Sequence, residues 1–161
     1  MRRSISSLAV ASVVLLVIAL TFAGAVGAEN GGVPFEASYS GACVVTPGFP
    51  ILHVACAASG NATHLGKSSV TVSLSENLLA TPCPTSVGTG TLTAANGDQF
   101  FITTSGTACG GTSGVVVVGG TQTVIGGTGR FEGASGSFTV AGTVNTSTGA
   151  ISYTFDGSIS Y

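Results

Sequence analysis

The sequence predicts an all-β fold: a single antiparallel, closed barrel of about eight strands, preceded by a signal peptide. Three observations carry this. Apolar and small polar residues alternate with period two, most cleanly through Val70-Thr71-Val72-Ser73-Leu74-Ser75. No window beyond the signal sustains a helical period, and valine, isoleucine, threonine and aromatics, which suit a pleated surface, dominate. Closure follows from charge. Exposed strand edges are usually guarded by lysines and prolines, and beyond the signal this chain has a single lysine, Lys67.

Residues 1–28 are read as a secretory signal peptide and 29–161 as the barrel domain. Arg2 and Arg3 give a positive start, Leu8–Leu20 is an apolar run, and the small residues Ala23-Gly24-Ala25-Val26-Gly27-Ala28 follow. Cleavage after Ala28 fits best, with Ala25 the alternative. No cysteine follows closely enough for a lipid anchor, so the expected product is exported, soluble and free of the membrane.

In chain order, Phe35–Val45 places Phe35, Ala37, Tyr39, Gly41 and Cys43 on one face. Thr46-Pro47-Gly48-Phe49-Pro50 is a turn, and Ile51–Ala57 makes a second strand that Ser59-Gly60-Asn61 is expected to break. Thr63–Ser75 supplies a third, with Val70, Val72 and Leu74 on its buried face. Pro82 and Pro84 flank Cys83, which suits a stapled loop or an edge rather than a central strand. Thr89–Ala95 and Gln99–Thr104 form a hairpin about Asn96-Gly97, a type I′ signal. Phe100 and Phe101 point to opposite faces. Gly110–Gly114 is a glycine-rich turn, Val115–Val118 a short apolar run, and Gly119-Gly120 a bulge before Thr121–Ile125. Val124–Phe138 holds five glycines around Phe131 and reads as a strand end, a tight turn and a restart by Ser137. Ser137–Asn145, a turn at Ser147–Gly149 and Ala150–Tyr161 complete the barrel.

Four cysteines in an exported chain imply two disulfides, with three connectivities open. Hairpin geometry favours Cys43 with Cys56 and Cys83 with Cys109. A zinc site or redox pair is the alternative, but there is no C-x-x-C and the spacings match no zinc motif.

Lys67 and Arg130 face Glu29, Glu36, Glu76, Asp98, Glu132 and Asp156, a mature net charge of −4. Without a basic patch to track phosphates, no nucleic-acid partner is expected. His53 and His64 lack ligand spacing, so no metal and no cofactor is expected; His64 is read as a strand start bonded to nearby backbone. A phosphate loop at Gly126–Gly129 would require a following helix, and a strand follows instead. Serines are abundant without a G-x-S-x-G elbow, and the acids are scattered singly. Asn61-Ala62-Thr63 and Asn145-Thr146-Ser147 are formal glycosylation sequons.

The candidate ligand-binding residues are Tyr39, Arg130, Glu132 and Tyr153. Arg130 and Glu132 flank Phe131 and are read first as a surface ion pair. With Phe131 turned outward they would instead face the lumen and anchor a ligand. Tyr39, Tyr153 and Tyr161, apolar rings with a polar tip, suit a lumen mouth or else complete the core.

Gly126-Gly127-Thr128-Gly129-Arg130-Phe131, followed by Gly136, resembles the G-G-[ST]-G-x-F motif of the allene oxide cyclase and dirigent superfamily. Val33-Pro34-Phe35 with Tyr39-Ser40-Gly41 is similar to the early strand of allene oxide cyclases. Thr63–Lys67, Leu92–Asp98 and Phe155–Tyr161 resemble bacterial exported relatives of that barrel. The resemblance spans most of the chain after the signal and implies an eight-stranded barrel, often oligomeric, with a largely apolar lumen. Its activities do not carry over residue by residue. Allene oxide cyclases hold their polar constellation on a strand before the Pro-Phe segment, and the cleaved chain would begin only a few residues before Pro34. The acidic residues and arginine of dirigent proteins have no assignable counterparts.

The expected function is therefore non-enzymatic: a small hydrophobic ligand held in the lumen, or a surface or matrix role. One alternative is an enzyme or chirality-guiding protein acting on a hydrophobic substrate in the lumen. A second is a small outer-membrane barrel, suggested by the alternation Ile151, Tyr153, Phe155, Gly157, Ile159, Tyr161. Disulfides, short strands and mid-chain prolines argue against that insertion.

Overall fold

The computed structural model describes residues 32–161; the expected signal peptide lies outside them. Eight strands run up and down: β1 (Val33–Thr46), β2 (Ile51–Ala62), β3 (Gly66–Asn77), β4 (Thr85–Thr93), β5 (Gln99–Gly110), β6 (Val115–Gly127), β7 (Ser135–Asn145) and β8 (Ala150–Ser160). Each pairs antiparallel with the next, and β1 pairs with β8, from Val33 opposite Ile159 to Ala42 opposite Ala150. The result is a closed barrel without a free edge, which removes the need for edge charges.

Period two sets what faces in. On β1 the inward residues Phe35, Ala37, Tyr39 and Cys43 are buried and their neighbours exposed. Up-and-down connectivity sorts the loops into two groups. The β2–β3, β4–β5 and β6–β7 connections share one end with Val33 and Tyr161. The β1–β2, β3–β4, β5–β6 and β7–β8 connections share the other.

The first end is filled. Phe35, Leu92, Phe100, Ile102, Phe131 and Ile159 are fully buried there. Phe131 comes from a single 3-10 turn, Gly129–Phe131, between β6 and β7, and its ring lies 4.0 Å from that of Phe100. Gly129 makes the turn possible: its φ is +59°, and an added Cβ would strike the Asp98 carboxylate.

Cys43 is bonded to Cys56 directly across the β1–β2 register, and Cys83 to Cys109. The second bond ties the β3–β4 loop to the end of β5, so the segment with Pro82 and Pro84 is a stapled loop.

Several local expectations are corrected. Ser59-Gly60-Asn61 does not break β2 but stays paired with Ser40, Tyr39 and Ser38; the turn comes at Thr63–Leu65, where His64 takes a φ of 66°. Turn-like composition there serves close strand approach, because a Cβ on Gly60 would press into the Ser38 carbonyl and the Tyr39 Cα. His64 is thus a turn residue, and its Nε2–H donates to the Pro34 carbonyl oxygen at 3.0 Å. Gly119-Gly120 is no bulge, since the two residues pair regularly with Thr107 and Gly106. The register shift lies further on: Phe101 faces Gly126 and Ile102 faces Val124, leaving Ile125 as the extra residue. The β4–β5 turn is not type I′. The Gly97 N–H donates to the Ala94 carbonyl at 2.9 Å, so the central residues are Ala95 and Asn96; neither has positive φ, and Gly97 follows them with a φ of 92°. The Asn96 side chain instead bonds forward, accepting from the Asp98 backbone N–H at 3.2 Å and donating to the Asp98 carboxylate at 2.7 Å.

Candidate functional site: an apolar lumen open at one end

Above the filled end the barrel is hollow. A cavity of about 460 Å³ runs from the middle of the strands to the end carrying the β3–β4 and β7–β8 loops. That volume lies in the range of small-molecule sites. Its walls are mostly aliphatic, with Leu52, Val54, Val72, Leu74, Val118 and Val140 among them. Gly106 on β5 and Gly119 on β6 also line it, where the two strands approach closely. Gly106 and Gly120 face each other in register, and an added Cβ at Gly120 would meet the Ser105 carbonyl and the Gly106 Cα. The Cys43–Cys56 disulfide forms part of the wall.

Asn145 borders the lumen with its Oδ1 engaged by the Ser147 and Thr148 N–H groups of the β7–β8 turn, and three further larger polar side chains line it. Gln122 on β6 is only 4% exposed, and its Oε1 has no hydrogen-bond partner. Interior polar atoms are nearly always paired, so the Gln122 amide, whose residue lines the cavity, stands out as the one with a buried unpaired side-chain oxygen among the described residues. Tyr153 on β8 extends its hydroxyl toward the disulfide, 3.8 Å from Cys43 Sγ and 3.9 Å from Cys56 Sγ, contacts too long to satisfy it well. Its ring fits because β7 has glycine at the paired position, where a Cβ on Gly142 would collide with it. Burial, and then the negative charge of Glu76, push the Tyr153 phenol up to about 12. Glu76, near the end of β3, is half-buried, and desolvation raises its carboxyl above the ordinary glutamate range. The three stand at different depths: Glu76 near the mouth, Tyr153 below it, Gln122 at the floor.

The two ends differ in charge. Among the described residues, Glu36, Lys67, Asp98, Arg130, Glu132 and Asp156 all lie in the half toward the filled end, leaving Glu76 alone in the open half. The mouth instead displays apolar side chains: Phe49 is 80% exposed, Val44 71% and Leu79 62%, with Val45, Leu78 and Val117 beside them.

Of the residues expected at the site, Tyr153 lines the cavity. Tyr39 lies outside its wall, fully buried, sharing a 2.8 Å hydrogen bond with the Ser68 hydroxyl and packing 5.4 Å from the Phe155 ring. Its phenol is raised by burial, against a smaller lowering by Ser68. Arg130 and Glu132 are exposed at the opposite end. Phe131 faces inward, and the ion partner of Arg130 is Asp98, at 3.7 Å, rather than Glu132. Arg130 also donates to the His64 carbonyl at 2.6 Å and lies over the Phe131 ring at 4.6 Å, which clamps the turn.

Glu76 and Gln122 were not singled out from the sequence, although period two carries a signal for each. Glu76 continues the inward series Val70, Val72, Leu74. Gln122 sits within Val116, Val118, Gly120, Val124, a series hidden when β6 is divided at Gly119-Gly120. No cluster of three or more histidine, cysteine, aspartate or glutamate side chains suited to a metal occurs among the described residues.

No family model matches the chain, and no curated protein and no solved structure matches it.

Proposed function

We propose that this protein is an exported, disulfide-bonded barrel that holds a small apolar ligand in its lumen. The observation that carries the reading is the 460 Å³ aliphatic cavity, open at one end and closed at the other by packed aromatics. Two disulfides suit an oxidising, extracytoplasmic setting. The outer face of β8 is Ser152, Thr154, Asp156 and Ser158, while Ile151, Phe155 and Ile159 are buried inside. A barrel spanning lipid has the opposite arrangement, which supports a soluble protein over an outer-membrane one.

A second reading, an enzyme or chirality-guiding protein of the allene oxide cyclase and dirigent kind, draws on Glu76, Tyr153 and Gln122. Polar groups converging on an apolar lumen are what such work on a hydrophobic substrate would need.

Native mass spectrometry of the exported protein, with titration of the neutral fluorophore N-phenyl-1-naphthylamine, tests the proposal. A saturable one-to-one complex is expected, weakened at least tenfold by Val118→Trp, which fills the lumen. Absence of both copurified ligand and saturable binding would overturn it. Chemical alteration of a bound molecule on incubation would favour the second reading.

A further inference from the structure

We infer that the lumen selects a neutral apolar molecule bearing a hydroxyl group, held with the hydroxyl at the cavity floor and the apolar tail toward the mouth. The inference rests on the ligand-binding reading and names the class of ligand.

It begins at Gln122. The side chain is almost wholly buried and lines the cavity, and its Oε1 is unpartnered. Its register neighbours are Thr104 on β5 and Phe138 on β7. Thr104 also lines the cavity, so an amide and a hydroxyl stand abreast at the floor. A ligand group reaching them must satisfy an amide whose oxygen and nitrogen are interchangeable in shape. A hydroxyl does so either way, because it both donates and accepts.

Charge narrows the class further. The described cations, Lys67 and Arg130, lie toward the filled end, outside the cavity wall. A carboxylate or phosphate at the floor would therefore be buried without a counter-ion, a heavy penalty. Near the mouth the one ionisable carboxyl is Glu76, which repels an anionic head there as well. On charge alone, fatty acids are disfavoured in both orientations and a neutral alcohol in neither.

The mouth sets the direction. Val45 and Leu78 line the cavity and are also exposed at its rim, continuous with Phe49 and Leu79 outside. An apolar tail emerging there stays in apolar contact, while the same tail pointing inward would leave the Gln122 oxygen unpaired.

The test is a competition assay against N-phenyl-1-naphthylamine with 1-decanol, decane and decanoate, on the wild type, Gln122→Leu and the length-matched Gln122→Met. The ratio of decanol to decane affinity is expected to fall about tenfold or more in both variants, the scale of one buried hydrogen bond to an otherwise orphaned amide. Decanoate is expected to compete more weakly than decanol in the wild type at neutral pH. An unchanged decanol-to-decane ratio in the two variants, or decanoate outcompeting decanol, would overturn the inference while leaving cavity binding intact. If none of the three displaces the fluorophore and the fluorophore itself does not saturate, the ligand-binding reading falls instead.

Discussion

Tyr153 shows how much chemistry one inward side chain concentrates. Its phenol is surrounded by the aliphatic wall and a disulfide, and its proton is retained to about pH 12 because burial and the Glu76 charge both oppose the phenolate. An unfolded tyrosine releases its proton near pH 10. The stability from this difference is fully present below about pH 10 and is lost as pH rises through about 12. Glu76 follows the same sign at the acid end. Its carboxyl is raised by burial alone, so the native state is favoured below the ordinary glutamate range and loses that advantage as pH rises through the raised value. Glu76→Gln is therefore expected to lower the Tyr153 midpoint in a tyrosinate absorbance titration and to remove the stability loss that sets in as pH rises above the ordinary glutamate range, measured by denaturant unfolding. An unshifted midpoint would break the link between the two groups. Tyr153 is legible in the sequence as an inward aromatic on an alternating strand. Glu76 is legible only once its strand is extended past Ser75, and the proximity of the two groups is a property of barrel closure that no local pattern encodes.

At the scale of elements, the filled end depends on the short turn between β6 and β7. The glycine spacing around Phe131 identifies a tight turn with an aromatic plug, and the structure buries that ring against Phe100 and, edge-on, against Tyr161 at 5.0 Å. The local signals that misled are also informative. Ser59-Gly60-Asn61 and Gly119-Gly120 are read as a break and a bulge, yet in a tightly coiled barrel an inward glycine is equally required where strands approach closely, as at Gly60 and Gly120. Sequence alone does not separate these two uses, because both rest on the missing Cβ. The division of labour between the ends yields a test. Phe131→Ala is expected to cost about 3–5 kcal/mol, as large buried aromatics do when truncated. It should leave fluorophore affinity within about twofold, because the plug and the cavity occupy opposite ends. A variant that loses affinity while retaining full stability would show that the plug shapes the lumen instead.

Across the whole molecule, closure and charge form one argument. A chain with so few charges cannot guard open edges, and the barrel has none to guard. The remaining cost falls on the mouth, where Phe49 and Leu79 stand in water in the half of the barrel whose one described charge, Glu76, faces the lumen. Apolar patches without neighbouring charge limit solubility. Phe49→Ser combined with Leu79→Ser is expected to raise the concentration at which the exported protein stays clear near its isoelectric point by several-fold. Because both side chains are largely exposed, unfolding free energy should change by no more than about 0.5 kcal/mol for each substitution. Decanol affinity should fall modestly as the tail loses its apolar rim, whereas the decanol-to-decane ratio set by Gln122 at the floor should hold. Affinity is thus distributed along the barrel axis, with apolar contact at the rim and hydrogen bonding at the base. A rim variant that altered the ratio without altering overall affinity would place the discriminating contact at the mouth and contradict that division.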